Sequence, residues 1–179
     1  MLFGKRIRLR GDERNDLPKF VNWLNDPKVR RYLSTDLPIS QATEENWFEN
    51  MLKRPPEEQS LGIEIEDGDG WKLIGNCGIF AINWRARSAE VGIFIGENSY
   101  WNKGYGTEVM RVLLRHGFGT LNLNRIFLRV DADNSGGIRT YEKAGFIHEA
   151  RLRQAGFRDG DYRDELIMSV LRSEWNPDS

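Results

Sequence analysis

Ile7 and Leu9 alternate with Arg6, Arg8 and Arg10, the period of two that marks a half-buried strand. Behind Asp16, which is placed to cap a helix, Leu17, Phe20, Val21 and Leu24 fall at i, i+3, i+4 and i+7. The helix they predict should stop before Pro27, because proline disfavours helical geometry at Asp26. Residues 27 to 40 carry no such period and read as irregular. Ser40 or Thr43 then opens a second helix, with Trp47, Phe48, Met51 and Leu52 on its apolar side and Pro55-Pro56 at its end. Leu61, Ile63 and Ile65 alternate with Gly62, Glu64 and Glu66, and Asp67-Gly68-Asp69-Gly70 turns them into a hairpin with Trp71 to Ile82. Ala89 to Ile95 reads as the next strand. A third helix follows Lys103-Gly104-Tyr105-Gly106, with Val109, Val112, Leu113 and Phe118 facing the core and Gly119 closing it. Asn124 to Asp131 is a strand, Asn134 or Ser135 caps a short helix ended by Gly145, and two last strands turn at Asp159-Gly160-Asp161.

The resulting order is β-α-α-β-β-β-α-β-α-β-β. The segment from Ala89 to Asp131 has the length of a parallel crossover while the hairpins pair antiparallel, so the fold class is a mixed α/β (α+β) sheet flanked by helices. A chain of 179 residues without repeat, linker or low-complexity tract reads as one domain, residues 1–179. Ligands of such sheets sit at the carboxyl ends of parallel strands, here the segments after Ile95 and after Asp131.

Composition narrows the partners. The 26 basic and 27 acidic residues nearly cancel, so the molecule has no bulk attraction for nucleic acid or anionic lipid, and the basic runs at Arg6–Arg10 and Lys28–Arg31 do not change that balance. No stretch approaches the ~20 apolar residues that cross a bilayer, and Met1 to Arg6 lacks the run of a signal peptide. The lone Cys77, flanked by Gly78 and Ile79, reads as a buried strand residue, and a cytoplasmic setting fits it. Two isolated histidines and one cysteine imply no metal site.

Candidate chemistry lies around the third helix. The strand pleat puts Ala89, Val91, Ile93 and Ile95 on one face and Glu90, Gly92, Phe94 and Gly96 on the other. Two glycines flanking Phe94 indicate a bulge or another chain lying close against the backbone. In Trp101-Asn102-Lys103-Gly104-Tyr105-Gly106-Thr107 the unpaired N–H groups of a helix start, two glycines and Lys103 suit an anion such as phosphate. The run matches neither a Walker loop nor a Rossmann fingerprint. Tyr141 sits two turns past Asn134 on the same face, where it could border that cleft or pack in the core, and Lys143 reads as a cleft cation or a solvated charge.

The run from Arg87 to Phe146 resembles the Gcn5-related N-acetyltransferases (GNAT), whose pattern is [QR]-x-x-G-x-[GA] followed by N-x-x-A-x-x-x-Y-x-x-x-G-F. Here these are Trp101 to Gly106 and Asn134 to Phe146. Arg87-Ser88-Ala89-Glu90, Lys103 to Glu108 and Phe157 to Tyr162 resemble the subgroup of ribosomal-protein N-terminal, spermidine and amino-sugar acetyltransferases. The resemblance implies an acetyl-CoA-dependent N-acetyltransferase in which an amine attacks the thioester directly. It implies that Phe94, Ile95 and Gly96 hold the pantetheine arm and that residues 102 to 107, with Trp101, hold the pyrophosphate. Asn134, Tyr141 and Lys143 would complete the acetyl-CoA site, with Tyr141 also the general acid toward the departing sulfur. Trp101 stands where the family has Gln or Arg, which shifts the pyrophosphate onto backbone N–H groups and Lys103, and Gly137 replaces a small Ala. By the same analogy a homodimer is expected, and a catalytically silent acetyl-CoA-binding module is the alternative.

The acceptor stays open among peptide N-termini, amino-sugars, polyamines and other small amines. A polyamine would want acids along the cleft, and Tyr32-Leu33-Ser34-Thr35-Asp36-Leu37 offers a single one, which weighs against it. An amine of pKa ~10.4 is nucleophilic in roughly one molecule of a few thousand at neutral pH. Glu90 on the bare strand face is the candidate base, or else the salt-bridge partner of Arg85 or Arg87. Direct transfer to an ordinary carboxylate is uphill by ~8 kcal/mol, so a relaying water or loss to bulk must carry the proton. An ordinary tyrosine protonating a cysteine-like thiolate is uphill by only ~2 kcal/mol.

Overall fold

The computed structural model describes residues 1–33, 37–68 and 70–176. Its eight strands are β1 (Leu2–Phe3), β2 (Ile7–Gly11), β3 (Leu61–Asp67), β4 (Gly70–Asn83), β5 (Ser88–Ile95), β6 (Arg125–Asp131), β7 (Ile147–Arg158) and β8 (Asp161–Leu171). The helices are α1 (Leu17–Asn25), α2 (Pro27–Arg30), α3 (Gln41–Leu52), α4 (Tyr105–Gly119) and α5 (Ser135–Ala144). The strands form one sheet in the order β1-β2-β3-β4-β5-β6-β8-β7, antiparallel except between β5 and β6. The mixed, mostly antiparallel sheet flanked by helices is therefore as expected, with β1 added at one edge.

Two expectations at the first helices change. Asp26 is extended at ψ 119° and ends α1 as anticipated, but it also caps a new turn by accepting the Lys28 N–H at 2.8 Å. Pro27 thus closes one helix and, at the first position of the next, opens another, so residues 27 to 40 are not wholly irregular. Asp16 makes no side-chain cap on α1. Its carboxylate instead accepts the Arg10 guanidinium at 2.6 and 2.9 Å and the Glu13 N–H at 2.8 Å. Ser40 does cap α3, accepting the Thr43 N–H at 3.1 Å. At the turn between β7 and β8, Asp159 and Gly160 both have positive φ, which suits the twist of a two-residue hairpin loop. Asp69, in the turn between β3 and β4, lies outside the described residues.

One face of the sheet packs under α4 and α5. Ile79, Val91, Ile126, Leu128 and Met168 meet Val109, Met110, Leu113 and Phe118 there, and Cys77 is buried among them. The other face carries α1 and α3 at the β2–β4 end, where Leu17, Phe20, Phe48, Met51 and Leu73 are buried together against Trp23 and Phe94. That second layer stops short of β6 and β8. Among the described residues no helix is long and apolar enough to cross a membrane.

Candidate active site

The parallel pairing of β5 with β6 covers only Ser88–Glu90 against Arg125–Phe127. Beyond it β5 runs on to Ile95 and β6 to Asp131 without pairing to each other, which opens a wedge in the sheet. The Gly96 N–H bonds to the Ile74 carbonyl at 2.8 Å, so with the antiparallel alternation Phe94 and Gly92 also turn their backbone groups to β4. Ile93 and Ile95 turn theirs to the wedge. The cavity that follows from this opening has a volume of about 1030 Å³. It is bordered by β4–β6, the start of α4, the start of α5, and the β7–β8 ends, with α2 and α3 forming a helical wall.

At the head of the wedge α4 begins on Gly104, at φ +84°, with no side-chain cap. The first intrahelical bond is Glu108 N–H to Gly104 carbonyl, so the N–H groups of Tyr105, Gly106 and Thr107 lack helical acceptors. They stand at the positive end of a long helix, a setting for an anion. Asn102 is also left-handed, at φ +59°. Arg6 braces this loop from outside: its Nε meets Glu108 at 3.0 Å, it donates to the Lys103 carbonyl at 3.2 Å, and its guanidinium lies 4.5 Å from the Tyr105 ring centre. Sequence reasoning missed Arg6, because its alternation with Ile7 looked like an ordinary solvent-facing strand position.

Of the expected site residues, Glu90, Phe94, Ile95, Trp101, Asn102, Gly104, Tyr105, Gly106, Asn134 and Tyr141 border the cavity. Gly96, Lys103, Thr107 and Lys143 do not, and each has a structural reason. A Cβ on Gly96 would stand 2.1 Å from the Trp23 ring, so this glycine admits α1 rather than a ligand. The Lys103 ammonium lies 5.1 Å from the Tyr100 ring centre. The Thr107 hydroxyl donates to the Thr140 carbonyl at 3.3 Å, joining α4 to α5, and Gly106 lets the two helices approach, since a Cβ there would meet Thr140 at 3.1 Å. Lys143 lies in the last turn of α5, where its carbonyl accepts from Arg111 at 2.9 Å. Arg139, which sequence reasoning passed over, borders the cavity.

The remaining expectations are refined. Gly92 faces Gly78 in a β4–β5 register that is continuous from Gly75 to Phe80 and shifts only beyond it, so Gly92 is no bulge, and the Phe80 ring occupies its bare side at 3.1 Å from a notional Cβ. Trp101 turns its indole to the strand and donates from Nε1 to the Ile95 carbonyl at 2.7 Å, away from the helix start. Asn134 caps α5, its Oδ1 accepting the Gly137 N–H at 2.9 Å. Glu90 lies 3.8 Å from Arg129 on β6, not against Arg85 or Arg87. Tyr141 packs edge-on against Phe146, with ring centres 6.1 Å apart, and among the described residues its hydroxyl has no hydrogen-bond partner. Burial pushes that phenol up to about 12, and burial likewise raises the Cys77 thiol, which makes Cys77 a poor nucleophile. Ser34, Thr35 and Asp36, the stretch weighed for acceptor charge, lie outside the described residues.

Comparison with known proteins gives a consistent picture. Residues 6–147 match the model of the acetyltransferase (GNAT) domain. The chain is 31% identical over 170 residues to the spermidine N(1)-acetyltransferase of Escherichia coli K12, covering 94% of this chain and 88% of that one. An uncharacterized N-acetyltransferase p20 of Bacillus licheniformis is 30% identical over 178 residues, 97% of each chain. The crystal structure of spermidine N-acetyltransferase from Vibrio cholerae in complex with CoA and spermine superposes with a TM-score of 0.85 at 28% identity, covering 94% of this chain and 97% of that one.

Proposed function

Given that the chain belongs to the GNAT acetyltransferase family and transfers an acetyl group from acetyl-CoA to an amine, we propose that the acceptor is a linear polyamine and that Tyr141 and Glu90 carry the proton steps. The observation behind this reading is the wedge between β5 and β6, bounded at one end by uncapped amides and continuous at the other with a strand floor that holds Glu90, Asp131 and Glu165. The earlier objection to a polyamine rested on one loop, and these acids come from three strands that are distant in sequence. Two spermidine acetyltransferases among the relatives point the same way.

The backbone groups of Ile93 and the N–H of Ile95 would bind the pantetheine arm as an added strand, and the Tyr105 and Gly106 amides with Arg139 would bind the pyrophosphate. The amine would approach over Glu90 and lose its proton through water that Glu90 orients. A phenol at about 12 is roughly 5 kcal/mol short of protonating an ordinary thiolate. Tyr141 therefore keeps its proton until the C–S bond is largely broken, and its unpartnered hydroxyl hydrogen-bonds the sulfur as charge develops there.

Mass spectrometry of an amine panel incubated with the protein and acetyl-CoA, alongside a free-thiol assay, tests the proposal. The expected outcome is a 42-Da-class acetyl adduct on spermidine or spermine with stoichiometric CoA release, that mass being roughly the gain for replacing N–H by N-acetyl. Thermal stabilisation by acetyl-CoA with no released thiol for any amine would instead make the chain a silent binding module.

A further inference from the structure

Among the described residues four carboxylates line the cavity: Glu58, Glu90, Asp131 and Glu165. Glu58 accepts the Ile82 N–H at 2.9 Å, Asp131 holds Arg158 at 2.9 Å, and Glu90 faces Arg129 at 3.8 Å. Among the described residues Glu165 has no hydrogen-bond or ion-pair partner. The nearest cation along its own strand, Arg163, is committed to Asp133 at 2.6 Å and reaches Asp161 at 3.6 Å. Space beside Glu165 is open as well. Its Oε1 lies 3.9 Å from where a Cβ on Gly156 would stand, and Gly156 has none.

The register fixes how Glu165 relates to the reaction centre. Glu90 is paired with Phe127 on β6, and Asp131, four residues further along β6, is paired with Glu165 on β8. Side chains alternate along a strand, so Glu90, Phe127, Asp131 and Glu165 all project from one face of the sheet. Two strand spacings and four residues of rise separate the Glu90 and Glu165 Cα atoms by about 16 Å, a span suited to an extended polyamine once the side chains lean inward. Lys28 and Arg54 line the helical wall, while the floor arginines Arg129, Arg158 and Arg163 face Glu90, Asp131 and Asp133, which leaves Glu165 the floor carboxylate without a described cation.

We infer that Glu165 is a specificity-determining residue that receives a second ammonium group of the acceptor while the first lies at Glu90, an inference that rests on the polyamine reading above. The acceptor supplies the cation that the protein withholds from this carboxylate. Steady-state kinetics of the full chain with spermidine and with hexylamine, for wild type, Glu165→Gln and Glu165→Asp, test it. In Glu165→Gln the KM for spermidine should rise ten-fold or more, while kcat, the KM for hexylamine and the KM for acetyl-CoA stay within two-fold. Glu165→Asp should recover part of the loss. If wild type prefers spermidine and Glu165→Gln keeps the same KM, Glu165 has no such role and the polyamine reading stands. Equal losses for both amines, or a lowered melting temperature accompanying them, would mark Glu165 as structural and overturn the inference. No preference of the wild type for spermidine over hexylamine would remove the inference and the acceptor reading together.

Discussion

Across one face of the sheet, β2 and β3 present Arg8, Arg10 and Glu64 beneath α1 and α3, whereas β5, β6 and β8 present Glu90, Arg129, Asp131 and Glu165 to an open cavity. In the covered half the charges satisfy one another: Glu64 accepts Arg8 at 2.6 Å and Arg10 at 2.9 Å, and Arg10 also grips Asp16. A buried ion left single there would cost several kcal/mol, and Arg8, Arg10, Asp16 and Glu64 are all paired. In the open half the Glu90 and Arg129 contact is long at 3.8 Å, and Glu165 has no described partner. Incomplete pairing is tolerable only where solvent or a ligand supplies the missing partner. The two halves therefore divide the work, one holding the layers together and the other keeping its polar groups for the substrate.

Substitutions can test that division directly. Gly96→Ala inserts a methyl 2.1 Å from the Trp23 ring at the boundary with the covered half, and should cost about 3 kcal/mol, lowering the melting temperature by several degrees in calorimetry. A cofactor-binding role for Gly96 would instead raise the KM for acetyl-CoA with the melting temperature unchanged. Tyr141→Phe and Glu90→Gln, both in the open half, should each lower kcat ten-fold or more with little change in the KM for acetyl-CoA or in thermal stability. Full turnover of Tyr141→Phe would remove it from the mechanism, and a Glu90→Gln enzyme at full rate from pH 6 to 9 would remove Glu90.

The smallest effect concerns pH and returns to the covered half. Glu44 and Asp12 are buried close enough to repel, and burial, the larger cause, pushes them up to about 7 and about 6. Asp12 accepts from Ser60 at 2.5 Å and Asn76 at 2.7 Å, while among the described residues Glu44 makes no comparable bond. A carboxyl raised in the folded state stabilises most when it is protonated, below its unfolded pKa, and that stability is lost as pH rises through the folded value. Glu44→Gln should therefore raise stability at pH 8 and hardly at all at pH 4, read as a melting temperature that depends less on pH, with activity unaltered. A gain at pH 4 equal to that at pH 8 would contradict the assignment.

Much of this was legible along the chain. Period-two runs such as Leu61–Glu66 and the helical face of Val109, Val112, Leu113 and Phe118 depend on local geometry, and so does the glycine-rich start of α4. Tyr141 could be placed because two helical turns are a local distance. What escaped depends on contacts between distant segments. Gly96 was bare for the sake of a ring in α1, Lys103 was drawn to Tyr100, and Asp16 left its capping role for a guanidinium on β2. The strand order β6-β8-β7, which brings Glu165 to the floor beside Asp131, has no signature in any single window of sequence.

The bond from the Trp101 indole to the Ile95 carbonyl has an optical consequence. The pantetheine arm proposed to lie along β5 would compete with the indole for that oxygen, so the chromophore would change its surroundings whenever the donor enters or leaves. Trp101 is one of six tryptophans, and replacing the other five by phenylalanine would leave a protein that signals its own loading through emission colour without any attached dye.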